Sequence, residues 1–250
     1  MGGRIAADHV LEGPDVHGSI KYQPALLQSV HPRAVAGLIS AWQRSAPPLN
    51  HPLTQPPHRE ITQPMRIIGG KFKGKALAAP GAAGGGAAHL RPTSDRVRES
   101  LFNLLAHGPY EGAPQGRRVL DLFAGTGALG LEAMSRGAAR AIFVDDHGPS
   151  RALIRTNVEA LGLMGSTKIW RRDATHLGPN RDRPYDLIFL DPPYRKGLGE
   201  KALASAQAGG WIAENALIIY ECAADEDAPQ FDDLLDERKY GETRILIARA

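Results

Sequence analysis

The sequence has little of what a secreted or membrane-embedded protein needs. One cysteine, Cys222, among 250 residues leaves no partner for an internal disulfide and gives no sign of an oxidising compartment. Long apolar runs are also missing. The longest, ALIIY at 216–220, has five residues, whereas a membrane-spanning helix needs roughly 20. The amino terminus offers no signal-peptide core either, because 25–39 is interrupted by Gln28, His31, Pro32 and Arg33. These absences point to the cytoplasm and to no membrane partner. What the chain does have is 42% hydrophobic residues, enough for a core in one large or two small domains.

Charge is nearly balanced at +3, but it is unevenly placed. Residues 65–118 carry nine basic and three acidic groups, while 119–250 carry sixteen and twenty. A basic module on a weakly acidic body is the pattern expected where the module faces a polyanion, most simply nucleic acid. An ordinary solvated surface would produce the same counts.

Composition divides the chain into three parts. Residues 1–64 hold nine of the nineteen prolines and five of the nine histidines with no sustained hydrophobic period, and read as a disordered extension. Within it, 24–42 has the spacing of a short helix that Pro32 would interrupt. The histidines show no metal-ligand spacing, so no metal is expected. From Met65 the character changes. MRIIGGKFKGKALAAP reads as a basic hairpin of two extended segments, 66–68 and 72–77. GAAGGGAA at 81–88 reads as a loop. RPTSDRVRESLFNLL, 91–105, reads as a helix capped by Thr93 or Ser94, with Val97, Leu101, Leu104 and Leu105 forming an apolar stripe. Arg91, Arg96 and Arg98 are expected near its start, available to phosphates or carboxylates. The module thus spans 65–115.

From 116 to 250 strand and helix patterns alternate. Strands RRVLDLF, AIFVD, TKIWR, DLIFL and ALIIYE are nearly continuous apolar runs, separated by helices near 128–136, 150–161 and 199–208. Such βα units predict an α/β fold, a parallel sheet with helices on both faces. TRILIA, entered through YGE, predicts a carboxy-terminal hairpin.

Two segments carry chemistry. DLFAGTGALG, 121–130, lies between a strand and a helix. Gly125, Gly127 and Gly130 satisfy G-x-G-x-x-G, with Asp145 at the end of the next strand. This predicts an adenosine-containing ligand whose ribose hydroxyls meet Asp145, but it does not choose between NAD and S-adenosylmethionine. The second segment, DLIFLDPPY, places Asp191, Pro192, Pro193 and Tyr194 at the carboxyl edge of the same sheet. Two prolines stiffen the turn, which can aim the Asp191 carboxylate and nearby carbonyls at an amino group. Tyr194 supplies a ring face on which a base can stack. An oxidoreductase using NAD would leave this segment without a role.

MRIIGGKFKGKAL, RPTSDRVRESLFNLL, DLFAGTGALGLEAMSRGA, FVD, DLIFLDPPY and YGETRILIAR together resemble the RsmD family of bacterial 16S ribosomal RNA guanine-N2 methyltransferases. The double-proline motif alone is shared with adenine-N6 and glutamine-N5 enzymes, and the hairpin and RPT…RES helix make the resemblance specific. It implies a seven-stranded Rossmann-like class I methyltransferase fold, with S-adenosylmethionine as cofactor and small-subunit ribosomal RNA as partner. It also implies site roles. Gly125, Thr126 and Gly127 would take the methionine end of the cofactor, Asp121 its amino group, Asp145 the ribose and Asp173 the region of the adenine amino group. Asp191 and the Pro192 carbonyl would accept the guanine amino hydrogens, with Tyr194 stacked on the base. Lys71, Lys73, Lys75, Arg91, Arg96, Arg195 and Lys196 would meet RNA. Asp145 stands where the family more often has glutamate, and 1–64 has no counterpart. An adenine-N6 methyltransferase is the nearest rival, although no segment is long enough for a separate target-recognition domain.

Overall fold

In a computed structural model of the chain, residues 65–79, 95–110 and 112–250 are described. The expected helix at 24–42, the loop at 81–88 and Arg91 lie outside them. Seven strands form one sheet: β1 Arg118–Leu122, β2 Arg140–Asp145, β3 Thr167–Arg171, β4 Tyr185–Leu190, β5 Ile212–Ala223, β6 Asp233–Tyr240 and β7 Thr243–Arg249. Their order is β3-β2-β1-β4-β5-β7-β6. β1 to β5 run parallel, and β7 inserts antiparallel between β5 and β6. The hairpin expected from YGE is therefore β6–β7, with its second strand, not its first, against the parallel sheet.

Among the described residues four helices cover the sheet: α1 Asp95–His107, α2 Ala128–Ser135, α3 Gly148–Ala160 and α4 Leu198–Ala208. Strand alternation sorts the core into two layers. Val119, Phe143, Leu187, Phe189, Leu217 and Ile219 pack with α1, α2, α3 and the amino-terminal segment. Leu120, Leu122, Ile142, Ile188, Leu190 and Tyr220 pack with α4 and the 174–177 turn. On α1 the buried positions are Arg98, Leu101, Phe102 and Leu105, at the i, i+3, i+4 and i+7 spacing of one helix face. Phe102 meets Phe189 with ring centroids 5.7 Å apart.

Residues 65–79 form a hairpin-like loop rather than two full strands. A single bridge joins Arg66 to Ala76, and a 3-10 turn occupies Gly70–Phe72. What holds the loop in place is α2. The fully buried Glu132 carboxylate accepts the Ile68 and Gly69 N–H groups at 2.8 Å each. Ser135 Oγ donates to the Gly69 carbonyl at 2.6 Å and accepts from Phe72 N–H at 2.9 Å. Gly70, at φ +74, has no room for a side chain over the Ser135 carbonyl. Arg98 is fully buried, donating to Asp95 at 2.8 Å and to the Arg66 carbonyl at 2.6 Å, with Glu132 3.9 Å away. Of the phosphate or carboxylate partners expected for Arg98 it has carboxylates: its spacing puts it on the buried face, closed to phosphate, where it pairs with Asp95 and faces Glu132. Among the described residues no helix is long and apolar enough to cross a membrane.

Candidate active site

The strand order reverses between β1 and β4: from β1 the chain proceeds outward to β2 and β3, then returns to β4 on the other side. At such a switch point the loops leaving the two strands part and open a crevice at the carboxyl edge. DLFAGTGALG leaves β1 there and DPPY leaves β4 there, so the topology brings together the two segments that carry chemistry in the sequence.

Pairing then fixes the faces. Asp121 lies opposite Phe143 and Phe189, and Leu190 opposite Tyr220. Residues Asp121, Asp145, Asp191 and Glu221 consequently share the parity of Val119, Phe143, Phe189 and Ile219, the face covered by α2. Four acids from four adjacent strands form a row along one edge. Asp121 is 1% exposed, and its Oδ2 accepts the Gly130 N–H at 2.9 Å. Burial, reinforced by the charge of Asp145, pushes its carboxyl up to about 7 despite that hydrogen bond. Asp145 accepts Gly125 N–H through Oδ2 and His147 N–H through Oδ1, both at 2.8 Å. Burial raises its carboxyl, and those two hydrogen bonds oppose the rise.

Gly130 is glycine for a steric reason. A Cβ there would collide with the Phe143 ring and stand 2.8 Å from Asp121 Oδ2. The close approach lets α2 start directly beside the acid. Asn157 of α3, also buried, braces the same loop. Its Oδ1 accepts Ala78 N–H at 2.7 Å, and its Nδ2 donates to the carbonyls of Ala78 at 3.3 Å and Thr126 at 3.1 Å. Thr126 Oγ1 also reaches Met65 Sδ at 3.4 Å. The amino-terminal segment thus touches the glycine loop itself.

Asp191 is only partly buried, so one side stays accessible. Desolvation, followed by the charges of Glu221 and Asp121, holds its carboxyl well above the usual carboxylate range. Pro192 is buried and Pro193 exposed. Tyr194 donates to Glu221 Oε1 at 2.6 Å and lies 3.3 Å from Thr243 Oγ1. Burial and the Glu221 charge raise its phenol pKa.

A family model described as Conserved hypothetical protein 95 matches residues 65–249. Ribosomal RNA small subunit methyltransferase D of Escherichia coli is 38% identical over 174 residues, 69% of this chain and 82% of the relative. The chain belongs to this family, the RsmD methyltransferases. The solved structure of the Escherichia coli protein yhhF, described as a methyltransferase, superposes with a TM-score of 0.62 at 31% identity, covering 74% of this chain and 97% of its own. The Thermus thermophilus 16S rRNA N2 G1207 methyltransferase RsmC shares the fold at 22% identity and a TM-score of 0.51, over 64% of this chain and 44% of its own. The chain is accordingly an RsmD-family methyltransferase with the seven-stranded class I fold.

Within this RsmD fold the other predicted residues lie on segments around the acidic row, Asp173 two residues past Arg171, the β3 partner of Asp145. Asp173 is exposed beyond β3 and caps a turn, its Oδ1 accepting Thr175 N–H at 2.8 Å and Thr175 Oγ1–H at 2.7 Å. Those bonds lower its carboxyl pKa. Lys71, Lys73, Lys75 and Arg96 are exposed on the amino-terminal segment and α1. Arg195 and Lys196 are exposed past the double proline, with Arg195 paired to Asp225 at 2.7 Å. Sequence reasoning missed Glu132, Asn157 and Glu221. Glu132 and Glu221 interrupt the apolar stretches ALGLEAMS and ALIIYECA, and that interruption is their signal, whereas Asn157 stands among polar neighbours in GPSRALIRTNVEA and gives none.

Proposed function

We propose that the chain methylates the exocyclic N2 of one guanine in 16S ribosomal RNA, in the cytoplasm, using S-adenosylmethionine. The observation that carries this reading is the row of acids beside the glycine loop. Acids packed so closely that burial and mutual repulsion oppose their ionisation offer nothing to a pyrophosphate, the central group of NAD, and are favoured as carboxylates by a ligand bearing an ammonium and a sulfonium. Asp121, buried and reluctant to ionise alone, fits a cationic partner. S-adenosylmethionine, when bound, supplies a methyl group already electrophilic on sulfur. Gly125, Thr126 and Gly127 would hold its methionine end, Asp121 its amino group, Asp145 its ribose and Asp173 the adenine side.

The chain's own residues then have an alignment task. A guanine amino nitrogen is a poor nucleophile because its lone pair is conjugated into the ring. Asp191 and the Pro192 carbonyl would accept the two amino hydrogens and favour a pyramidal nitrogen. A carboxyl whose proton affinity is raised suits this post, because it is the stronger base when the nitrogen gains positive charge. Tyr194 would stack on the base, swung out of its surroundings as base-modifying enzymes require.

Lys71, Lys73, Lys75, Arg91, Arg96, Arg195 and Lys196 would contact RNA phosphates. Functionally, 65–115 would be the RNA-facing module, 116–250 the transfer domain, and 1–64 an extension dispensable for both. Mass spectrometry of ribosomal RNA nucleosides from a strain lacking the gene tests the reading. Loss of one N2-methylguanine, restored by the wild-type gene, is expected. Loss of N6-methyladenine instead, or an unchanged nucleoside profile, would overturn it.

A further inference from the structure

The double-proline motif accounts for Asp191 to Tyr194 but leaves unexplained why an acid, Glu221, closes the apolar run of β5. Glu221 is 5% exposed. Register places Leu190 opposite Tyr220, so the next residues, Asp191 and Glu221, stand side by side just past the end of the β4–β5 pairing, while β5 runs on to Ala223 against β7. The Tyr194 hydroxyl donates to Glu221 Oε1 at 2.6 Å, and Thr243 Oγ1 of β7 lies 3.3 Å from the same hydroxyl. The geometry points to Glu221 as a positioning residue for methyl transfer, tethering the Tyr194 ring through its hydroxyl while placing a second carboxylate beside Asp191. This inference rests on the base-facing role proposed for Asp191 and Tyr194.

Two separable jobs follow from that position. The two prolines fix the backbone before Tyr194 but not its side-chain torsions, so the ring could still rotate about Cα–Cβ. A short hydrogen bond to a carboxylate is among the stronger kinds and removes that freedom, keeping the ring plane at one tilt for the incoming base. A glutamine carbonyl in the same place would also accept the phenol. What only glutamate adds is negative charge next to Asp191, which opposes ionisation of Asp191 and keeps it basic. The charged and titratable groups facing Asp191 are Asp121 from β1, Glu221 from β5 and Tyr194 from its own loop. From β7, Thr243 is neutral, and the guanidinium of Arg244 is directed to the Glu226 carbonyl and towards Glu237. Arg195 is turned to Asp225.

Single-turnover methyl transfer on purified small subunits from a strain lacking the gene, measured against pH, separates these jobs. Glu221→Gln keeps an acceptor for the phenol and removes the charge. The rise of rate with pH should move to lower pH by about one unit, the scale expected for loss of one adjacent charge, with affinity for S-adenosylhomocysteine within about twofold of wild type. A carboxyl serving only to pack β5 would lower thermal stability and leave the pH profile in place, and that outcome would overturn the inference. Tyr194→Phe keeps the ring and removes the tether. A roughly three- to tenfold loss of rate is expected, and should Glu221→Gln not fold, an unchanged rate in Tyr194→Phe overturns the inference on its own. Asp191→Asn distinguishes the two levels. If it transfers normally, the role given to Asp191 fails and this inference with it; if it is inactive while the Glu221→Gln profile coincides with wild type, only the inference about Glu221 fails.

Discussion

Cofactor binding should be coupled to a proton at Asp121. The side chain is 1% exposed, its Oδ2 is held by the Gly130 N–H, and burial beside Asp145 brings its carboxyl to about 7. Near neutrality the ligand-free protein therefore exists as a mixture of acid and carboxylate. An ammonium pairs with the carboxylate, so binding must release the proton wherever it is present. If only the ionised form binds, affinity should be ~10-fold weaker at about pH 6 than at about pH 8, with roughly half a proton released per ligand near neutrality. Calorimetric titration with S-adenosylhomocysteine in two buffers of different ionisation enthalpy measures both quantities. The same group shapes stability. Its carboxyl titrates near 3.8 when unperturbed and near 7 in the fold. The native state thus holds more protons than the unfolded state in that window, and stability falls as pH rises through it. The roughly three-unit difference corresponds to something on the order of 4 kcal/mol. Asp121→Asn should abolish the pH dependence of binding, reduce affinity, and flatten the loss of stability in urea unfolding between about pH 4 and about pH 8. Affinity independent of pH, with no proton released, would refute the reasoning. So would an asparagine variant with the wild-type slope.

Two further outcomes follow from the amino-terminal segment. Asn157→Ala removes the bonds to Ala78 and Thr126, and should destabilise the fold by about 1–3 kcal/mol in urea unfolding while weakening S-adenosylhomocysteine binding; wild-type values in both would refute its bracing role. Replacing Lys71, Lys73 and Lys75 together with alanine should weaken RNA binding and reduce the slope of log affinity against log salt by about one for each phosphate that the lysines neutralise. An unchanged slope would mean that these lysines meet only solvent.

The parts of this fold that can be read from the sequence are those whose physics is local. β1, β2, β4 and the second half of β5 are buried on both faces and so appear as apolar runs, the edge strand β3 less so, and the glycine loop and double proline mark where two of them stop. Even the row of acids is half visible, because Asp121, Asp145 and Asp191 each end or nearly end such a run. What cannot be read depends on chain segments far apart. Glu132 holds backbone groups more than sixty residues away, and Asn157 bridges a distance of 79 residues. No motif spans those separations. Arg98 is the instructive case, because the i, i+3, i+4 and i+7 arithmetic placing it with Leu101, Phe102 and Leu105 needs only the sequence. Its charge alone argues for the surface. Burying a charge is costly unless it is paired and hydrogen-bonded, so an arginine on an apolar helix face requires a buried carboxylate elsewhere in the chain. Glu132, the acid within the apolar stretch ALGLEAMS, is that carboxylate, 3.9 Å from Arg98 and 2.7 Å from Arg136, while Asp95, one turn earlier on α1, takes the Arg98 hydrogen bond at 2.8 Å. The same argument applied to Glu221 in ALIIYECA would look for a hydroxyl donor, and Tyr194 is the one that meets it. In this family member, then, the polar interruptions of apolar elements are where the sheet is tied to its amino-terminal segment and to its active-site loops.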